Sequence, residues 1–212
     1  MSLDRFVTRL RRTKPLPNTI NPWRGRSAAA KLRQANLTHY FEQMASLRPT
    51  VMLIGEAPGY RGCGLTGVPF TSERILLAGP DPIFGPNSSF KISGDKNRPT
   101  SEASATIVWE VLQHHPDHLP LIWNACPLHP HKPADTLSNR PPAQPELELG
   151  FKILTSLLTC FPDINTLVAV GNRADHILTR HNIPHLKVRH PSHGGKREFA
   201  AAINQIFLNS KK

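Results

Sequence analysis

The chain has 212 residues, 39% of them hydrophobic, which is enough for one sizeable core, and no internal repeat or break in composition argues for a second domain. Its 26 Lys and Arg against 15 Asp and Glu give a net charge of +11 and a pI near 10.1, a balance that favours a polyanionic partner such as nucleic acid or an anionic membrane surface. No apolar run reaches spanning length, and MSLDRFVTRLRR at the N-terminus lacks an apolar core followed by a small-residue cleavage site, so the expectation is a cytoplasmic monomer with no membrane association.

In chain order, a basic arm of about residues 1–26 comes first, with Arg5, Arg9, Arg11, Arg12 and Lys14 ahead of the proline-containing PLPNTINPW. Arg9 and Arg12 share a helical face, available to phosphates or simply solvated. From Ser27 to about Leu47, Leu32, Leu37, Tyr40, Phe41 and Met44 recur at helical intervals, and the segment should cover one face of a sheet. Val51 to Ile54 is a short apolar run of the kind that forms a buried parallel strand. It breaks at once into GEAPGYRGCGLTGVPF, a glycine-rich loop at a strand's C-terminal end, where an open α/β sheet keeps its ligand. Glu56 sits inside that loop. A carboxylate there that faces a crevice acts as a base or a fixed negative charge, whereas one on the outer surface does neither.

Ser72 and Glu73 open a short helix to about Leu77, and Gly79 to Thr100, carrying Pro80, Pro82, Pro86 and Pro99, reads as a long surface excursion with Lys91, Lys96 and Arg98 outward. A capping box over Thr100 to Ala103 is expected to start a helix with Ile107, Val108, Val111 and Leu112 on its inner face. His114, His115 and His118 resemble a metal cluster only superficially, since the loop around Pro116 fixes no coordination geometry. Leu119 to Ala125 is a second strand, delivering Asn124 to a proline-stiffened loop, CPLHPHKP. A helix over Glu146 to Cys160 follows, then a third strand over Thr166 to Val170 and a helix in GNRADHIL. A fourth strand over Leu186 to Arg189 ends in His190, Pro191 and Ser192 before a closing helix to about Leu208. Strands alternating with helices predict a three-layer α/β/α sandwich around a four-stranded, mostly parallel sheet. The cysteines, Cys63, Cys126 and Cys160, are odd in number and have no CxxC pair, so buried thiols are expected, with no disulfide framework, metal or cofactor.

GEAPG with Thr66, Gly67, Val68, Pro69 and Phe70, then the strand-end Asn124, then His190, Pro191 and Ser192, together resemble the ordered motifs of the uracil-DNA glycosylase superfamily over about Val51 to Phe199. GEAPG is similar to the iron-sulfur branch, whereas GVPF and NACPL are similar to the single-strand-selective monofunctional branch, and the iron-sulfur branch's cysteine ligands are missing. The resemblance implies a monofunctional glycosylase that flips uracil or a related deaminated or modified base out of DNA and hydrolyses its N-glycosidic bond. It implies Glu56 and His190 as catalytic residues, Gly55, Ala57, Phe70 and Asn124 around the base, and Ser192, Lys196 and Arg197 against DNA.

Breaking an N-glycosidic bond builds positive charge on the sugar and negative charge on the departing base, so a site must stabilise both. His190, neutral and with a fixed tautomer, donates to a carbonyl of the leaving base, unless it is an ordinary core or surface histidine. Asn124 offers donors and an acceptor on one flat amide, the pattern that reads a pyrimidine edge, unless it only caps its loop. Phe70 stacks on the flipped base or packs in the core. Glu56 stabilises the sugar cation or orients water, and Ala57, where some relatives have Asp or Asn, contributes only a methyl group. Lys196 and Arg197 after two glycines grip phosphates or form a solvated helix start. Two other readings stay open: a DNA-binding protein of this fold without turnover, and a nucleotide-binding α/β enzyme, the latter disfavoured because no GxGxxG or GxxxxGK[ST] follows a strand.

Overall fold

Apolar runs too short to be helices and too uniformly hydrophobic to face water on either side pair with one another, and the rest of the chain is layered about them. The computed structural model describes residues 1–85 and 88–209. In chain order its elements are α1 (Leu3–Arg12), β1 (Thr19–Ile20), α2 (Ala28–Leu47), β2 (Val51–Gly55), α3 (Cys63–Thr66), α4 (Glu73–Ala78), α5 (Ala103–Leu112), a 3-10 turn (Pro116–His118), β3 (Leu121–Asn124), β4 (His129–Pro130), α6 (Gln144–Leu158), β5 (Thr166–Val170), α7 (Asn172–Arg180), β6 (Leu186–Val188) and α8 (Lys196–Asn209).

The main sheet has the order β3-β2-β5-β6 with every pairing parallel. The chain moves one way from β2 to β3 and the other way from β3 past β2 to β5 and β6. Right-handed crossovers therefore put α5 on one face and α6 and α7 on the other. α8 packs on β6 and α5, completing the three-layer α/β/α sandwich. β2 is buried at all of its positions, as a central strand covered on both faces must be. β3 lies at a sheet edge, and Tyr40 of α2 covers it: its Oη accepts the outward N–H of Ile122 at 2.9 Å.

The basic N-terminal segment is an amphipathic helix docked on α2 and α6. Phe6, Val7 and Leu10 are buried, and the Phe6 ring meets Phe41 and Trp123 at 5.7 Å each, while Arg5, Arg9, Arg11 and Arg12 face outward.

Several local expectations are corrected. No capping box forms over Thr100 to Ala103; the Glu102 carboxylate caps α5, accepting Ser104 N–H at 3.1 Å and Ala105 N–H at 3.0 Å. Thr100 N–H instead donates to Glu73, whose buried carboxylate also accepts Gly94 N–H and so pins the long excursion from inside. Pro86 of that excursion lies outside the described residues. Ser72 contributes no side-chain cap to α4. β3 is shorter than Leu119 to Ala125, because Pro120 has no N–H for the ladder and the chain after Asn124 bends over the end of β2, with Ala125 and Cys126 donating to Gly55 O and Glu56 O. The two-stranded ribbon of β1 and β4 is too short to leave a periodic signal.

Candidate active site

All four parallel strands end at one edge, and their C-terminal loops enclose a cleft of about 980 Å³. Glu56 enters it after β2, Asn124 from the end of β3, Arg173 after β5, and His190 after β6. Phe70, Ala57 and Ser192 line it as well.

Gly55 and Asn124 are register partners at the ends of β2 and β3. A Cβ on Gly55 would lie 2.1 Å from Phe70 Cε2 and 2.8 Å from Asn124 Oδ1, so the absence of a side chain is what admits the ring and the amide to the same place. Phe70 takes a left-handed φ of 49°, and Trp109 Nε1–H donates to its carbonyl at 2.9 Å. Asn124 is 3% exposed, and among the described residues its carboxamide has no hydrogen-bond partner. Neither amide atom is among the fully buried polar atoms left without a partner, so the amide reaches the cleft, where a ligand edge that failed to pair with it would cost about 1–3 kcal/mol.

Burial raises the Glu56 carboxyl above its ordinary value, and the nearby Arg173 guanidinium works against that rise. The His190 imidazole is held below its ordinary value, first by burial and then by His193 and Arg189. Ser192 N–H donates to His190 Nδ1 at 3.2 Å, and the Ser192 hydroxyl lies 2.7 Å from the same nitrogen. An Nδ1 that accepts from a backbone N–H cannot carry a proton in the neutral ring. The neutral tautomer is therefore Nε2–H, a donor at the far end of the ring. Gly171, at φ 87°, lets the chain after β5 run beside this ring; a Cβ there would meet His190 Cβ at 3.1 Å.

The glycine-rich loop is tied to the loop after β3. His129 Nδ1 lies 2.8 Å from Pro58 O and Tyr60 N–H donates to Asn139 Oδ1, while within the loop itself Gly64 N–H donates to Gly59 O. Arg140 secures the same wall through a two-pronged pair with Glu146 and bonds to the carbonyls of His131 and Asn18.

Lys196 and Arg197 lie outside the cleft lining, and Lys196 pairs with Glu110 at 2.5 Å. Lining residues that sequence reasoning passed over include Arg173, Arg189, His193, Asn139 and Arg140. Arg173 had a signal, lying two residues beyond the glycine that ends the third strand; Asn139 and Arg140 had none, because their loop reaches the cleft only through tertiary contacts. Among the described residues no group of three or more His, Cys, Asp or Glu side chains is arranged to hold a metal ion. His115 instead bonds Asn204, and both His115 and His118 pack on Phe207. Burial pushes the Cys126 thiol up to about 12, which makes it inert.

The family model of the uracil DNA glycosylase superfamily matches residues 41–207. Among solved structures, wild-type SMUG2 of Pedobacter heparinus is similar with a TM-score of 0.71 and 17% sequence identity, over 98% of this chain and 97% of that one. At that identity the likeness is one of fold. A comparison with curated proteins found no match.

Proposed function

The chain belongs to the uracil DNA glycosylase superfamily, and from that premise we propose that it is a monofunctional DNA glycosylase that excises uracil or a related deaminated or modified base and leaves an abasic site. The observation that carries this reading is the unpartnered Asn124 amide, 3% exposed, in a cleft shared with Phe70, Glu56 and the Nε2–H donor of His190. A flat amide with free donors and acceptor reads a pyrimidine edge, and a wrong edge leaves it buried and unpaired.

In the proposed reaction the flipped base stacks on Phe70 and its edge meets Asn124. The bond between the sugar's anomeric carbon and the base nitrogen breaks, and its electron pair leaves with the base. His190 donates its Nε2–H hydrogen bond to the base carbonyl on which that charge develops, and stays neutral in doing so. The sugar cation is left facing Glu56. At about 4 Å and an effective dielectric near 20, a carboxylate stabilises such a charge by about 4 kcal/mol before desolvation, roughly three powers of ten in rate. Water adds to the anomeric carbon and gives up its proton to Glu56. Ala57 supports only the wall of the cleft.

The test uses oligonucleotides carrying uracil, hypoxanthine, xanthine or a 5-substituted uracil, incubated with the protein and then treated with alkali to cut at abasic sites. Scission at uracil or one of its relatives is expected. No scission at any of them would overturn the proposal.

A further inference from the structure

The net charge of +11 invites the question of which cations are available to a ligand. Arg48, Arg140, Arg180, Lys187 and Lys196 are each committed to a carboxylate. Among the described residues, Arg61, Arg173 and Arg189 form no salt bridge, yet all three line the mouth of the cleft and are exposed. Arg61 lies 5.6 Å from the centre of the Tyr60 ring, and Arg189 makes one long bond, 3.5 Å, to the carbonyl of His193. Neither contact neutralises a charge. Of the carboxylates in the cleft, Glu102 is occupied in capping α5, and Glu56 is half-buried beneath the mouth.

The three guanidiniums follow three different strands, Arg61 in the loop after β2, Arg173 in the first turn of α7 after β5 and Arg189 directly after β6, and these strands are consecutive neighbours in the sheet. With neighbouring strands about 4.8 Å apart, the three strand ends span about 10 Å. That is about three axial rises of roughly 3.4 Å each along one nucleic-acid strand, a run bounded by four phosphates. Arg173 is attracted by Glu56, but among the described residues none of the three is held in an ion pair; cations gathered at one mouth repel each other, and a phosphate strand relieves that repulsion. Guanidinium also has the planar fork that fits a phosphate.

We infer that Arg61, Arg173 and Arg189 grip phosphates within one short run of a single nucleic-acid strand laid across the C-terminal edge of β2, β5 and β6, so that the strand enters the cleft between them. The inference rests on the glycosylase reading and names the residues that hold the substrate strand. Lys196, which the sequence suggested for this task, is spent on Glu110.

The experiment measures binding of an undamaged single-stranded oligonucleotide by fluorescence anisotropy over a range of salt concentrations, for the wild type and for Arg61→Gln, Arg173→Gln, Arg189→Gln, Lys196→Gln and Arg48→Gln. Arg48 precedes β2 at the opposite end of the sheet, so Arg48→Gln removes one charge far from the mouth. Thermal melting checks that each variant is folded. Each cleft-arginine variant is expected to reduce the slope of log affinity against log salt by about 0.7, and Arg48→Gln to leave it unchanged. Equal losses in all variants, no loss in the three arginine variants, or the largest loss in Lys196→Gln would each overturn the inference. Uracil excision by the wild type is measured in parallel. If the slopes fall as expected but no base is released, the strand-binding mouth stands and the glycosylase reading fails; if uracil is excised but the slopes do not fall, the reverse holds.

Discussion

Gly55 and Asn124 sit opposite one another at the ends of adjacent parallel strands, and Phe70 fills the space above Gly55 so closely that a methyl group there would lie 2.1 Å from its ring. Gly55→Ala should therefore displace Phe70, Asn124 or both. A destabilisation of about 1–3 kcal/mol is expected from the overpacking, together with a loss of at least about 10-fold in single-turnover cleavage. Wild-type melting and wild-type cleavage in this variant would mean that the three residues do not share one pocket.

Glu56→Gln and His190→Ala should each lower single-turnover cleavage at least about 100-fold while the fold persists. The same rates as wild type in either variant would remove that residue from the mechanism.

The pH dependence follows from the two opposed shifts. Glu56 must be ionised and its folded-state value is raised, while His190 must be neutral and its folded-state value is lowered. Cleavage should thus rise with pH and level off once Glu56 is ionised and His190 is neutral, and Glu56→Gln should remove the part of the rise that belongs to Glu56 while leaving the part that belongs to His190. In stability the Glu56 shift has the opposite consequence: the protonated form is favoured by folding, so its contribution is complete below the ordinary value of 4.5 and is lost as pH rises through the raised value. Glu56→Gln should melt at a higher temperature than wild type at neutral pH, with the gap closing in acid. An equal gap at all pH values would show that desolvation of this carboxylate is not its cause.

Gly59 follows Pro58 in the loop that lines the cleft, and it has no side chain to crowd a base there. A Cβ on Gly59 would be in ordinary van der Waals contact with the Asn139 amide, 3.7 Å from Nδ2, so a small side chain fits without a clash. The parent protein should therefore excise 5-hydroxymethyluracil as well as uracil, and Gly59→Tyr should selectively lose the former by about 10-fold or more, the scale of a pocket change of 1–3 kcal/mol. Absence of 5-hydroxymethyluracil cleavage by the parent would show that Tyr60, Arg61 or Asn139 closes the pocket.

Arg140 pairs with a Glu146 side chain that is only 5% exposed. Arg140→Ala leaves that carboxylate without its cation, and a loss of about 3–5 kcal/mol is expected in denaturant unfolding. A loss below 1 kcal/mol would show that the bond from Ala143 N–H, at 2.7 Å, is enough to hold it.

The main elements were legible in the sequence because each is encoded locally. The run Val51 to Ile54 is apolar without alternation, as a strand buried on both faces must be, and helix α2 repeats its apolar residues at helical spacing. Strand ends placed Glu56, Asn124 and His190 at one edge of the sheet, since parallel strands present all their C-terminal ends together. The sequence did not contain what depends on distance through space. Glu102 caps α5 because its carboxylate happens to reach two N–H groups, and Lys196 lies outside the cleft lining, beside Glu110 on another helix. Arg61, Arg173 and Arg189 look like any other cations in a basic chain until the segments after three neighbouring strands bring them to one mouth, where none is held in an ion pair among the described residues. Periodicity and strand-end chemistry are properties of a few adjacent residues, whereas which charges remain unpaired is decided only when segments far apart in the chain are packed together.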